Sequence, residues 1–264
     1  MLNNPVLFID SGVGGLPYCI DFHNNNPNEA VYYIADNKNF PYGPRGKNEL
    51  TSILITLIEK LLIKVNPKII VLACNTATIT AIASLRSKFP QMPFVGTVPA
   101  LKPAAKSSSK RKVGVLGTAR TIEDMQSLKL ADDTCEIIGI AAPELVDFIE
   151  KHFDSADENK KRETAKKYID LFRSEGADSL VLGCTHFLFL LEEFRLEASP
   201  DIEVFDSLEG ITKRIEFLLD ENALRADEDF KPSCRLVLTS DSADSLWQTR
   251  AKRLGFELNL LNEI

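Results

Sequence analysis

The 264 residues carry 31 lysines and arginines against 38 aspartates and glutamates, a formal net charge of −7, and 44% of them are hydrophobic. That is enough chain for one large domain or two medium ones with a full core, and it disfavours both disorder and a general nucleic-acid-binding surface. No basic segment followed by a long apolar stretch opens the sequence, and the run FLFLL at 187–191 is far too short to span a bilayer, so a soluble, cytoplasmic protein with no membrane partner is expected.

Five cysteines (19, 74, 135, 184 and 234) are widely spaced and contain no C-x-x-C pair, which argues against a disulfide framework and a zinc ribbon. Cys19, Cys135 and Cys234 read as small hydrophobes. In chain order, VLFID at 6–10 reads as a buried parallel strand that breaks on the turn SGVGG. A dinucleotide fingerprint would need a third glycine at position 17, where Pro17 stands. NFPYGPR at 39–45 reads as a loop held by two prolines and a glycine, with Tyr42 exposed at its tip. Apolar residues Ile53, Leu54, Leu57, Ile58, Leu61, Leu62 and Val65 recur on one helical face until Asn66-Pro67, and KIIVLA then opens a strand. A helix is expected after Cys74. KPAAKSSSKRK at 102–112 reads as a linker, VGVLG at 113–117 as a second buried strand, and FLFLLEEFRL as a helix after Cys184. IEVFD at 202–206, a helix over 207–221, the charged RADEDFKP, the strand RLVLTS and a closing helix and strand complete the chain.

Two stretches, VLACNTAT at 71–78 and VLGCTHFL at 181–188, share one design: an apolar run that ends on a cysteine followed by small polar residues. The cysteines are 110 positions apart (184 minus 74), and the strands VLFID and VGVLG are 107 apart (113 minus 6). The near-equal offsets point to a duplicated α/β unit. The expected fold is therefore two pseudo-symmetric α/β lobes, each a parallel-rich sheet flanked by helices. The first lobe takes residues 1–100 plus 206–264, because the tail returns to it, and the second takes 101–205.

Ligands of open parallel sheets bind at the carboxyl ends of strands, here Asp10-Ser11, Cys74-Asn75-Thr76, Thr118 and Cys184-Thr185-His186. A cysteine just before a helix sits where the dipole and unpaired N–H groups favour thiolate, although a lone one is as readily a buried structural thiol. Two at matched positions, each beside poor core formers, point to a polar reactive site. His186 becomes a proton-handling partner for Cys184, and Asp10 either caps its turn or steers a thiol. A zinc site of Cys74, Cys184, His186 and Asp10 is the metal alternative, for which C-T-H is tighter than usual ligand spacings. The SGVGG turn also bares N–H groups that suit a carboxylate. A two-lobed, non-catalytic module that binds acidic amino acids and a thiol redox sensor are the readings from other classes. The first has no need of paired thiols, and the second requires that Cys74 and Cys184 form a disulfide.

The motifs D-S-G-V-G-G at 10–15, P-Y-G at 41–43, C-N-T-A at 74–77, G-T-V-P-A at 96–100, G-T-x-x-T at 117–121 and C-T-H at 184–186 resemble those of cofactor-independent glutamate racemases, in order from residue 6 to about 210. Phe187-Leu188 depart from the Tyr-Pro that usually follows C-T-H in that family. The resemblance implies two α/β lobes with the active site in the cleft between them, glutamate as substrate, no cofactor and no metal. It implies that Cys74 acts on the proton of D-glutamate with help from Asp10, and Cys184 on that of L-glutamate with help from His186. Glu150, on PELVDFIE, resembles a further acidic helper, against the plainer reading of helix surface charge. Asp10, Ser11, Tyr42, Gly43, Asn75, Thr76, Thr118, Thr121, Thr185 and His186 would hold the substrate, and the product would supply peptidoglycan. A racemase of another acidic amino acid such as aspartate is the near alternative, while a malonate decarboxylase would need only one cysteine. A homodimer is compatible with all of this.

Overall fold

The structure, a computed structural model, describes residues 2–127 and 135–264. It divides into two compact units, Met1–Thr97 with Leu208–Ile264, and Val98–Ser207.

The first unit runs β1 (Val6–Asp10), α1 (Leu16–Asn25), β2 (Val31–Ala35), α2 (Lys47–Lys64), β3 (Ile69–Leu72), α3 (Asn75–Lys88) and β4 (Phe94–Gly96). Each of these strand-to-strand crossovers carries a helix, so the strands pair in parallel. β1 and β3 are buried at every position, the pattern of strands covered on both faces. α2 turns Leu50, Leu54, Leu57, Ile58 and Leu61 into the core, where they meet Leu7, Ile9, Ile70 and Leu72 of the sheet.

The second unit runs α4 (Leu101–Ser107), β5 (Lys112–Gly117), α5 (Ala119–Ser127), β6 (Glu136–Ala141), α6 (Pro143–Lys151), α7 (Glu158–Ser174), β7 (Ser179–Leu182), α8 (Leu191–Ala198) and β8 (Glu203–Phe205). The chain then returns to the first unit as α9 (Leu208–Glu221), β9 (Cys234–Leu238), α10 (Ser245–Leu254) and β10 (Glu257–Leu260). β9 pairs parallel with β2, and β10 with β9.

Strand order makes the internal repeat plain. The first sheet reads β10-β9-β2-β1-β3-β4 and the second β6-β5-β7-β8. Without the two tail strands, the first has the order of the second, with β1 matching β5 and β3 matching β7.

Two sequence expectations are corrected. The stretch 102–112 is not a free linker: its first half forms α4, whose Leu101, Ala104 and Ala105 fall at i, i+3 and i+4 and pack with Val113, Val115, Ile122 and Val181. The exposed Lys102 and Lys106 on its outer face gave the segment its loop-like composition. No α-helix starts directly after Cys184 either. Residues Thr185–Leu190 wind as a 3₁₀ helix, and α8 begins only at Leu191. Thr185, His186, Phe187, Leu188 and Leu190 are all buried, so this segment lacks the polar face of an amphipathic helix.

Gly15, at the end of the SGVGG turn, is required by packing. A Cβ there would stand 2.5 Å from the Ala73 Cβ and 2.9 Å from the Ala73 carbonyl oxygen. Gly15→Ala is therefore expected to cost about 1–3 kcal/mol of stability, read from urea unfolding. An unchanged midpoint and slope would contradict this close approach of the two turns.

Candidate active site

In the first unit, Asp10 ends β1 with its side chain fully buried. Its carboxylate accepts the Ser11 N–H, and the Ser11 hydroxyl donates to the same oxygen at 3.3 Å. The turn that follows is pinned by Tyr33, whose hydroxyl donates to the Gly12 carbonyl at 2.7 Å and accepts the Gly15 N–H at 3.1 Å. One strand over, the Ala73 N–H bonds the Ile9 carbonyl at 2.8 Å. Cys74 follows in extended conformation as the N-cap residue of α3. Its partly exposed sulfur thus stands at the positive end of a 14-residue helix, where a thiolate is favoured. Asn75 and Thr76 open that helix and are nearly buried.

Tyr42 corrects the sequence reading. It is not an exposed loop tip but is 1% exposed and part of the first unit's core. Its hydroxyl donates to Asp36 at 2.7 Å. Burial, the Asp36 carboxylate, and then Cys74 and Asp10 together push the phenol well above its ordinary pKa. Gly43 beside it is half-buried, and a Cβ there would meet nothing within 4 Å.

The second unit repeats the backbone of the first. The Gly183 N–H bonds the Leu116 carbonyl at 2.7 Å, and Cys184 follows, again extended. Here an imidazole stands beside the thiol: the Cys184 sulfur lies 3.7 Å from His186 Nδ1, and His186 Nε2 lies 2.6 Å from a Glu150 carboxylate oxygen. Glu150 comes from the last turn of α6, and its side chain is only 11% exposed, so the plainer reading of surface charge does not hold for it. Burial works to lower the His186 pKa, but the bonds to Cys184 and Glu150 outweigh it and hold the imidazolium well above the usual histidine range. At the end of β5, the Thr118 and Thr121 hydroxyls are 2.9 Å apart, and Thr118 Oγ1 accepts the Thr121 N–H. Thr185 is buried beside Cys184.

Sequence reasoning passed over Asp36, Tyr33 and Thr239. Asp36 carries the same signal as Asp10, an acid at the end of a buried apolar run (VYYIAD), and could have been found by it. All five cysteines are free, and burial holds the Cys19 thiol and the Cys234 thiol above their ordinary pKa. Among the described residues, no group of three or more His, Cys, Asp or Glu side chains is arranged to hold a metal ion, and no helix is long and apolar enough to cross a membrane.

The family model for Asp/Glu/hydantoin racemases matches residues 23–214. The glutamate racemase of Clostridium botulinum is 34% identical over 91% of this chain and 93% of its own length. That of Bartonella tribocorum is 32% identical, covering 100% of this chain and 98% of its own. The crystal structure of Escherichia coli glutamate racemase in complex with L-glutamate and the activator UDP-MurNAc-Ala superposes with a TM-score of 0.84 at 26% identity, covering 97% of both chains.

The Glu150–His186–Cys184 chain predicts a titration. A histidine whose folded pKa exceeds its unfolded value stabilises the fold fully below about pH 6.5, and that contribution is lost as pH rises through the folded value. The His186 ring followed by NMR is expected to titrate above the ordinary histidine midpoint, and lower in Glu150→Gln than in the parent protein. Equal midpoints in the two proteins would mean that Glu150 does not hold the proton.

Proposed function

The chain belongs to the Asp/Glu/hydantoin racemase family, and from that premise we propose that it interconverts L- and D-glutamate by two-base proton transfer, one thiol serving each face of the substrate carbon. The observation that carries this reading is the occurrence of one strand-end cysteine per unit at equivalent backbone positions. The glutamate specificity rests on the curated relatives, which are glutamate racemases at about a third identity over most of the chain.

In the L-to-D direction, the Cys184 thiolate removes the Cα proton and becomes a thiol. The electron pair left on Cα spreads into the α-carboxylate, and the Cys74 thiol delivers its proton to the opposite face. Cys74 ends as thiolate, and the D-to-L direction runs the same steps backwards. The His186 imidazolium, held by Glu150, stabilises the Cys184 thiolate. Asp10, buried at the neighbouring strand end, assists Cys74, which also draws on the N-terminus of α3. No metal or organic cofactor takes part in this scheme.

Glutamate brings two carboxylates to a protein of net charge −7, so local donors must hold them. The hydroxyls and amides of Ser11, Asn75 and Thr76 supply these in the first unit, and Thr118, Thr121 and Thr185 in the second. Tyr42 enters through its backbone rather than its buried ring, and the open space at Gly43 suits a ligand's approach. The reading places the protein in the cytoplasm, supplying D-glutamate to peptidoglycan synthesis, and a homodimer is compatible with it.

Dialysed, chelator-treated protein is expected to bring either enantiomer of glutamate, but not of aspartate, to an equal mixture, followed by circular dichroism. Because enantiomers have equal free energy, kcat/KM must be the same in both directions at every pH. Its profile is expected to be bell-shaped, with limits that belong to the coupled thiol pair. Racemisation of aspartate instead would transfer the reading to the near alternative, and a profile flat into strong alkali would remove the two-thiol scheme.

A further inference from the structure

In the second unit, the contact between Glu150 and His186 is followed, three residues on in both segments, by a contact between two aromatic rings. The Phe153 and Phe189 ring centroids stand 5.2 Å apart at an interplanar angle of 73°, the edge-to-face arrangement that such rings prefer. Phe189 shares the 3₁₀ helix Thr185–Leu190 with His186. At three residues per turn, positions i and i+3 of that helix lie one above the other. Phe153 opens a 3₁₀ turn, Phe153–Ser155, just past the end of α6 and three residues after Glu150. The end of α6 therefore meets the 3₁₀ helix twice, through the 2.6 Å contact of Glu150 with His186 and through the ring pair. Phe153 has a further neighbour in Lys161 of α7, whose ammonium stands 4.7 Å from the ring centroid and pairs with Glu158 at 2.8 Å. Both rings are half-buried, and the proton-transfer scheme above uses neither. Glu150, however, sits in the last turn of its helix, where helices fray. A carboxylate there keeps a fixed distance to another element only if the chain beyond it is tied down.

We propose that Phe153 and Phe189 are positioning residues for the Cys184 half of the reaction: their ring contact ties the end of α6 to the 3₁₀ helix and so holds Glu150 in bonding register with His186. The inference rests on the reading of His186 as the partner of the Cys184 thiolate. Without the ring pair, the last turn of α6 is free to fray, and the Glu150 carboxylate stands less often at Nε2. The imidazolium then loses part of what holds its proton against burial, namely the bonds to Cys184 and Glu150. α6, α8 and β7 pack against the 3₁₀ helix. On α6, Asp147 pairs with Lys151, and Glu144 accepts from Tyr168 and Lys167. On α8, Glu192 pairs with Arg195 and Glu197 with Arg162, with Glu193 in the same first turn as Glu192. β7 carries no charged residue. Glu150 is the acid at bonding distance from the ring, with Cys184 on the ring's other nitrogen.

The test follows the His186 ring of full-length protein by NMR across pH, without substrate. Phe153→Leu and Phe189→Leu each keep apolar bulk at a half-buried position and remove one ring, so the fold is expected to survive both. Each is expected to lower the His186 midpoint from the parent value toward that of Glu150→Gln. The double leucine variant is expected to lower it no farther than either single one, because the loss of one ring already breaks the pair. When Glu150→Gln is already present, adding Phe189→Leu is expected to leave the midpoint where it stands. Unmoved midpoints in both single variants would overturn the proposal. So would an equal further drop on top of Glu150→Gln, since the rings would then act on the imidazole without Glu150. Racemisation is scored separately, so a protein with the expected midpoints but no activity would count against the proposed function and not against the aromatic register.

Discussion

The main-chain N–H just before each cysteine bonds to the central strand of its own sheet, Ala73 to Ile9 at 2.8 Å and Gly183 to Leu116 at 2.7 Å. This one bond decides where the thiol stands: one residue past the last ladder contact, where the chain must leave the sheet. What surrounds it follows from close approach. Gly15 lets the first turn come down onto Ala73, and Gly183 lies so close to Leu116 that a Cβ would stand 3.0 Å from its carbonyl oxygen. A parallel sheet buried on both faces leaves only its carboxyl edge for polar chemistry, and both units spend that edge on a cysteine.

The two backbones repeat, but the helpers do not. The Asp36 N–H bonds the Asp10 carbonyl just as the Ala142 N–H bonds that of Gly117, so the position of Asp10 in the first unit is held by glycine in the second. In exchange, the position of Thr76 in the first is taken by His186 in the second, two residues after the cysteine in each. One thiol therefore stands at an α-helix N-terminus, one strand over from Asp10, and the other beside an imidazolium clamped by Glu150. For a reaction whose two directions have equal driving force, this is chemically coherent. In the proposed scheme each thiol serves as both base and acid, and two different environments can reach that balance by different means.

Much of this was legible in the sequence because burial writes itself in runs of apolar residues. VLFID is β1 to the residue, and VGVLG misses only Lys112 of β5. The thiols were legible because polar residues directly after such a run have no core to enter. Tyr42 was misplaced because its partner Asp36 lies six residues upstream and the group that fixes Asp36, Thr239, lies in the tail, so no local pattern links them. α4 was hidden by composition, since only Leu101, Ala104 and Ala105 face the core while lysine and serine fill the rest. Glu150 entered through family resemblance alone. Its pairing with His186 joins α6 to the turn after β7, a contact that spacing in the sequence does not encode.

The division of labour between the two thiols is tested most directly by proton exchange in heavy water. On the proposed scheme, removing either thiol is expected to abolish racemisation, while the one that remains is expected still to take and return a proton on its own face. Cys184→Ala is expected to label the Cα of D-glutamate slowly while L-glutamate stays unlabelled, and Cys74→Ala to show the opposite preference, with both enantiomers followed by proton NMR. If each variant labels both enantiomers equally, one thiol per face is wrong, and a single mobile base or a water molecule carries the proton.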